Sequence, residues 1–331
     1  MLRTRNEELP AGKRMGNLGG AFCVWRVVKE VLKREDRHPP DMIATGGSVR
    51  GQGTVNTVMS LDLVTKRYTT LPPMITDRRA HATAVVEGKL YVIGGFNRDG
   101  TLSSVDCLDL ETWQWSEVAP MSTRRVFAGA AVLGGKIFVV GGVDDGGRDL
   151  SSVESFDPAT GIWTAVAPMN TPRSAHGVVS AQGKLFAVGG CGEDDQGQDE
   201  DLKSVVCFDP STGVWTNINP MNAPRYQLGV TVIGDKLFAI GGVDNELKLL
   251  SSVECLDLSV PNSAWTPVAP MTMPRDGFGV AVTGGKIYAI GGFGHARGSM
   301  ECFDPNEGPQ GQWTFTSEIT EFVQGASIAT F

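Results

Sequence analysis

Long apolar runs are missing from this 331-residue chain, and basic charge is in deficit: 29 Lys and Arg stand against 37 Asp and Glu, a formal net charge of −8. No stretch approaches the roughly 18 apolar residues that a membrane helix needs, so no membrane span is expected. The acidic balance argues against a general nucleic-acid binder, which requires basic surface. The N-terminal MLRTRNEELP lacks the apolar centre of a secretory signal, which makes the cytoplasm the expected location. Cysteine is sparse as well. Six residues at long, uneven intervals, with no CxxC pair, fit neither a disulfide scaffold nor a zinc site.

Glycine, in contrast, is plentiful, at 42 residues, about twice the usual share. The hydrophobic fraction of 41% is enough for a large core. Diglycines at Gly46/Gly47, Gly94/Gly95, Gly141/Gly142, Gly189/Gly190, Gly241/Gly242 and Gly291/Gly292 recur every 47 to 52 residues, and Trp115, Trp163, Trp215, Trp265 and Trp313 keep the same rhythm. Tyr68 stands where the first copy would carry its Trp. A period near 50 signals repeat architecture. Within each unit the apolar runs are short, rich in β-branched and aromatic residues, and bounded by turn residues. In the third copy GAAVLGGKIFVVGG predicts two strands folded around Gly134/Gly135; SSVESFDP predicts a third, and a fourth carries Trp163. Four-stranded sheets cannot bury both faces alone, so six of them packed around an axis predict an all-β, six-bladed propeller.

The spaced pattern of hydrophobic-Gly-Gly, a Trp some 20 residues on, then Ala-Pro-Met and an Arg resembles the kelch repeat, with six copies over residues 41–331. The resemblance implies a kelch β-propeller in which each diglycine ends a second strand. The first copy opens on that second strand at Asp41-Met42-Ile43-Ala44-Thr45-Gly46, while residues 326–331 (ASIATF) read as a first strand and nothing more. The C-terminal strand is therefore expected to complete the first blade and remove an exposed edge. Residues 1–40 are a separate extension of net charge +4, from nine basic and five acidic residues. Between about residues 21 and 34, Phe22, Trp25, Val28, Val31 and Leu32 share one side of a predicted amphipathic helix. That helix has two readings: it packs on the acidic propeller, or it binds another subunit.

Two kinds of position stand out against the repeats. Arg78, Arg125, Arg173, Arg225 and Arg275 each follow the motif Met by four residues, and such regularity predicts bonds to turn carbonyls or to carboxylates of the adjacent blade. The three residues after each Arg vary: Arg79/Ala80/His81, Val126/Phe127/Ala128, Ser174/Ala175/His176, Tyr226/Gln227/Leu228, Asp276/Gly277/Phe278, with Phe322/Val323/Gln324 at the closing turn. The loops after the diglycines emerge on the same face and also vary. They bring Arg50, Arg98 and Arg297 to one side and Asp144, Asp194, Asp195 and Asp244 to the other. Variation on a fixed scaffold predicts a recognition surface for a protein or peptide segment, and the acidic loop at 193–201 predicts a basic one. Arg50, Arg79, His81, Arg98, Phe127, Asp144, Ser174, His176, Asp194, Asp195, Tyr226, Asp244, Asp276, His295 and Phe322 form the expected partner-binding set.

No catalytic group, cofactor or metal is expected. His81, His176 and His295 fall on alternate blades, where inner strands on the order of 12 Å apart cannot close on a metal whose ligands lie at about 2.1 Å. The resemblance implies an interaction module, serving as a scaffold or as a substrate receptor for a cullin-type ubiquitin ligase. Ligase receptors of this type carry helical domains before the propeller, which 40 residues cannot contain, so that role requires another subunit or a longer natural chain. The alternative is a kelch-fold sugar mutarotase or other propeller enzyme, for which His81, His176 and Asp276 could serve as acid and base.

Cys107, Cys207, Cys255 and Cys302 share one place in four different repeats, too far apart for bonding. Thiol titration of the denatured, unreduced protein is expected to count all six cysteines; a lower count would overturn this spacing.

Overall fold

A computed structural model of the chain describes residues 41–49, 53–63, 67–193, 199–292, 296, 298–318 and 327–330. The extension at 1–40, with its expected helix, lies outside the described residues.

Six four-stranded antiparallel sheets account for the architecture. The third blade shows the plan: Gly129–Leu133, Lys136–Val140, Val153–Asp157 and Ile162–Val166 pair in chain order from the axis outward. The inner strand of each blade touches the inner strands of both neighbours, so the six form a closed cycle. Second strands such as Lys89–Ile93 and Lys136–Val140 are buried at every position after the Lys, because each blade is covered on both faces by its neighbours. This explains why they read as continuous apolar runs rather than alternating ones. Outer strands such as Gln114–Val118 and Ile162–Val166 face solvent along much of their length.

The hairpins fall where the glycine dipeptides predict. Glu87/Gly88, Gly134/Gly135, Gln182/Gly183 and Gly284/Gly285 all have positive φ at both residues, as a two-residue turn matched to the strand twist requires. The motif tryptophans tie blade to blade: the indole N–H of Trp115, Trp163, Trp215, Trp265 and Trp313 donates to a backbone carbonyl at the end of the preceding blade, 2.7–2.9 Å away. Phe156, Phe208 and Phe303 pack against Trp163, Trp215 and Trp313 with ring centroids 5.0–5.2 Å apart. Tyr68 occupies the Trp place of the first blade, opposite Leu61. Five of the six cysteines lie among the described residues and none of these is in a disulfide; all but Cys191 are buried. Burial pushes the Cys207 and Cys255 thiols up to about 11.

Ring closure follows the expectation. Ser327–Thr330 pairs antiparallel with Met42–Thr45 in the register Met42↔Thr330 to Thr45↔Ser327, and so supplies the inner strand of the first blade. Without it, Ile43, now fully buried, would sit beside an unpaired edge. Removal of residues 326–331 is expected to lower both soluble yield and melting temperature sharply; an unchanged melting curve would overturn the closure.

Candidate functional site

The face carrying the blade-joining turns and the post-diglycine loops is built on the five arginines. In each, the backbone carbonyl accepts from the second glycine of the preceding blade, as in Gly95 N to Arg125 O at 2.8 Å. The guanidinium donates to the first glycine's carbonyl in the following blade, as in Arg125 Nη1 to Gly141 O at 2.9 Å. The same pair of bonds recurs at Arg78, Arg173, Arg225 and Arg275. The diglycine is required on both counts. Gly94 has φ +61° and a Cβ there would lie 2.6 Å from the Arg125 carbonyl oxygen, while Gly95 has φ +97°, which L residues avoid. The expected role of these arginines is thus observed: they bond glycine and serine carbonyls, and four of them also pair with a carboxylate, Asp106, Glu154, Glu254 or Glu301.

The three variable residues after each arginine divide by depth. The first extends along the face and forms an isolated bridge with the residue just past the diglycine: Arg79 with Phe96, Val126 with Val143, Ser174 with Cys191, Tyr226 with Val243. The second is left-handed, at φ 50° to 58° for Ala80, Phe127, Ala175, Gln227 and Gly277. Its N–H donates to the carbonyl of its counterpart in the preceding blade, giving the series Gly277 to Gln227 to Ala175 to Phe127 to Ala80 at 2.9–3.1 Å. This hydrogen-bonded arc around the axis leaves no sign in the sequence except Gly277, the one copy with the residue that prefers that conformation. The third residue turns inward onto the glycines. His81 Cε1 would meet a Cβ on Gly46 at 2.8 Å, and His176 Cε1 one on Gly141 at 2.9 Å.

Much of the expected binding set is therefore enclosed. His81 is 0% exposed and its Nε2 bonds the Thr45 hydroxyl at 2.9 Å; His176, Phe127, Ser174 and Asp276 are also buried. Variation at these places is a matter of packing. Asp144 is buried in its own loop, where it accepts from the Gly146 and Arg148 N–H groups and pairs with the Arg148 guanidinium at 2.8 Å. Asp244 repeats the loop geometry, accepting from the N–H of Glu246 and Lys248 at 3.0 Å each. Arg50, Asp194, Asp195, His295 and Phe322 lie outside the described residues.

What remains accessible has two poles. On the second blade the half-buried Arg79 guanidinium lies 5.2 Å from the Phe96 ring centroid, and the Arg98 side chain is 87% exposed. On the opposite side Tyr226 is half-buried; burial and the nearby Cys191, Asp201, Asp276 and Asp244 push its hydroxyl up to about 12. Between them Ala80, Val126, Phe127, Val143 and Ala175 form an apolar floor, flanked by Phe96, Cys191 and Tyr226. Among the described residues no group of three His, Cys, Asp or Glu is placed to hold a metal.

The buried imidazoles make stability depend on pH. Burial, then the Arg173 charge, holds His176 down to about 3 against an upward pull from the Val140 carbonyl; burial and Arg78 hold His81 well below the ordinary histidine value. The unfolded chain therefore takes up protons near pH 6.5 while the folded chain does not, and stability falls as pH drops below about 6.5 toward the folded His176 value of about 3. Apart from the weak approach of the Val140 carbonyl, neither ring nitrogen of His176 has a partner of good hydrogen-bond geometry. His176→Leu, the residue that the fifth blade carries at this place, is expected to flatten that decline in thermal melts without loss of stability at pH 7.5. A slope equal to the parent's would overturn the assignment.

A family model described as the KLHDC2/KLHL20/DRC7 Kelch-repeats domain matches residues 37–242, and a Kelch motif model matches residues 224–272 and 274–318. Curated relatives match over short segments. Kelch-like protein 1 of Mus musculus is 42% identical over 48 residues, covering 14% of this chain and 6% of that protein. Kelch-like protein 28 of Homo sapiens is 44% identical over 43 residues, covering 13% and 8%. Kelch-like ECH-associated protein 1A of Danio rerio is 44% identical over 39 residues, covering 12% and 6%. The matches thus span less than a tenth of each relative's length. A solved structure titled "Structure of YjhT" superposes with a TM-score of 0.66 at 17% identity, over 78% of this chain and 89% of that one, and shares the fold. The arginine–diglycine and tryptophan contacts thus each recur five times around six blades of a sequence whose family match exceeds half its length, and the chain belongs to the kelch-repeat family.

Proposed function

We propose that this propeller is a non-enzymatic protein-interaction module that holds a segment of a partner protein across the face of blade-joining turns. The observation that carries the reading is the pair of poles on one rigid floor. Arg79 and Arg98 project from the second blade, and Tyr226 stands among Asp201, Asp244 and Asp276 on the far side. Such a gradient orients a segment whose basic end lies toward the fourth and fifth blades. The backbone bridges beneath Arg79 and Tyr226 fix their main chains, so little ordering of the loop backbone opposes binding. His81, His176 and Asp276, which acid–base chemistry on a small substrate would call upon, are buried, which favours the binding reading over the catalytic one.

Within this reading the propeller acts as the recognition part of a larger assembly, either a scaffold or the substrate-receiving part of a cullin-type ubiquitin ligase. Kelch-like relatives support that class of role, and the helical part of a ligase receptor would come from another subunit or a longer chain. No helix among the described residues is long and apolar enough to cross a membrane.

Selection from a displayed peptide library is expected to enrich segments rich in Lys and Arg, with affinity falling as salt rises. Tyr226→Ala is expected to weaken the selected peptides about tenfold or more, as loss of an aromatic anchor does. Arg98→Glu should shift the selected charge pattern, with the melting temperature unchanged. Retention of every peptide by both variants, together with its loss on removal of residues 1–40, would move the site to the extension.

A further inference from the structure

One of the five inter-blade arginines lacks its acid. In four junctions a carboxylate oxygen lies 2.7–3.0 Å from Nη2: Asp106 on Arg78, Glu154 on Arg125, Glu254 on Arg225 and Glu301 on Arg275. The same carboxylates accept from a backbone N–H of the turn just after the motif Met, at Thr76, Ser122, Asn222 and Thr272, at 2.6–2.9 Å. In three junctions they also reach the arginine Nε, at 3.1–3.4 Å. The acid has a fixed register: Val92↔Asp106, Val139↔Glu154, Ala239↔Glu254 and Ala289↔Glu301.

In the fourth blade that register reads Ala187↔Val206. Arg173 keeps its bonds to the Gly189 and Ser204 carbonyls and the Ser204 hydroxyl, at 3.0–3.2 Å. Its side chain is 0% exposed, and Nε has no partner. Burial holds its pKa down to about 10, so it is still charged at neutral pH. The neighbouring His176 is neutral there and adds no negative charge. A buried guanidinium without a counter-charge is strongly disfavoured, because desolvation is not offset by Coulomb attraction. The turn N–H groups of Asn170 and Thr171, whose counterparts in the third blade donate to Glu154, have no carboxylate among the described residues to receive them.

We infer that a small inorganic monoanion takes the place of the missing carboxylate in the fourth blade, held by Arg173 Nε and Nη2 and by the N–H groups of Asn170 and Thr171. Asn170 is exposed, which places one of the four donors at the surface of the turn. Oriented N–H groups beside a guanidinium are the donor set that small anions prefer. Chloride is the probe. The carboxylate that four junctions carry in the chain is here supplied from solution, and this blade's docking becomes sensitive to the anion present.

The test is thermal unfolding of the full chain in sodium chloride and in sodium gluconate, whose anion is too large for the slot, at constant ionic strength. Chloride is expected to raise the melting temperature by roughly 2–4 °C with saturation. Val206→Glu, which restores the acid of the other blades, should abolish the response and melt in gluconate at least as high as the parent does in chloride. Equal melting in the two salts, or a response undiminished in Val206→Glu, would overturn the inference. Should that variant fail to fold, Val206→Asp gives the acid of the second blade. Anomalous scattering from bromide-soaked crystals reads the site directly: a peak beside Arg173 supports the inference, and peaks only elsewhere overturn it.

Discussion

Each blade of this propeller is registered on the next by one arginine, whose carbonyl is bound by the blade behind and whose guanidinium binds the blade ahead. The motif's other peculiarities follow from that requirement. The carbonyl can be approached only by residues without a Cβ, hence the diglycine; the guanidinium is cut off from water, hence the ring of carbonyls and acids around it. Loss of one member of a buried charge pair generally costs about 3–5 kcal/mol, far more than the pair's net worth. The arrangement is therefore weak evidence for stability but strong evidence for geometry: it permits one spacing between blades and penalises others.

That rigidity separates the side chains free to vary for recognition from those that vary only to fill space. Of the three residues after each arginine, the second is fixed by its left-handed backbone and the third by the glycines beneath it. His81, Ala128, His176, Leu228 and Phe278 differ widely in size and polarity, yet they do one job, closing the space above the glycines of neighbouring blades. Of the first residues only Arg79 and Tyr226 present side chains outward, together with the loops beyond the diglycines; Val126, Ser174 and Asp276 are buried. Among the described residues, the face that reads from sequence as a wide field of variation narrows to Arg79, Arg98, Tyr226 and the carboxylates near it.

What repeats in the chain was legible in advance, and the reason is geometric. Six diglycine copies, with a tryptophan in five and an arginine at five junctions at fixed spacing, leave one way to pack, and the final strand's pairing follows because Met42–Thr45 needs an inner neighbour. What was illegible depends on depth. An aspartate or glutamate directly before the Cys or Ser of the third strand recurs at Asp106, Glu154, Glu254 and Glu301, and could have been matched to the arginines by count; Val206 is the exception that count would expose. The left-handed arc could not be read from Ala80, Phe127, Ala175 and Gln227, since none of these residues favours positive φ and only tertiary bonding holds them there.

The pairing of Met42 with Thr330 also sets a schedule. The two strands lie 288 positions apart in the chain, and at a synthesis rate of about 5 to 20 residues per second the second strand of the first blade emerges some 15 to 60 s before its inner partner exists. Blades two to six can assemble in that interval, each against the one before. The first blade waits with three strands and an open edge beside Ile43 until Ser327–Thr330 emerges, so the nascent chain carries an adhesive site throughout that interval, and a strand far along the chain retires it.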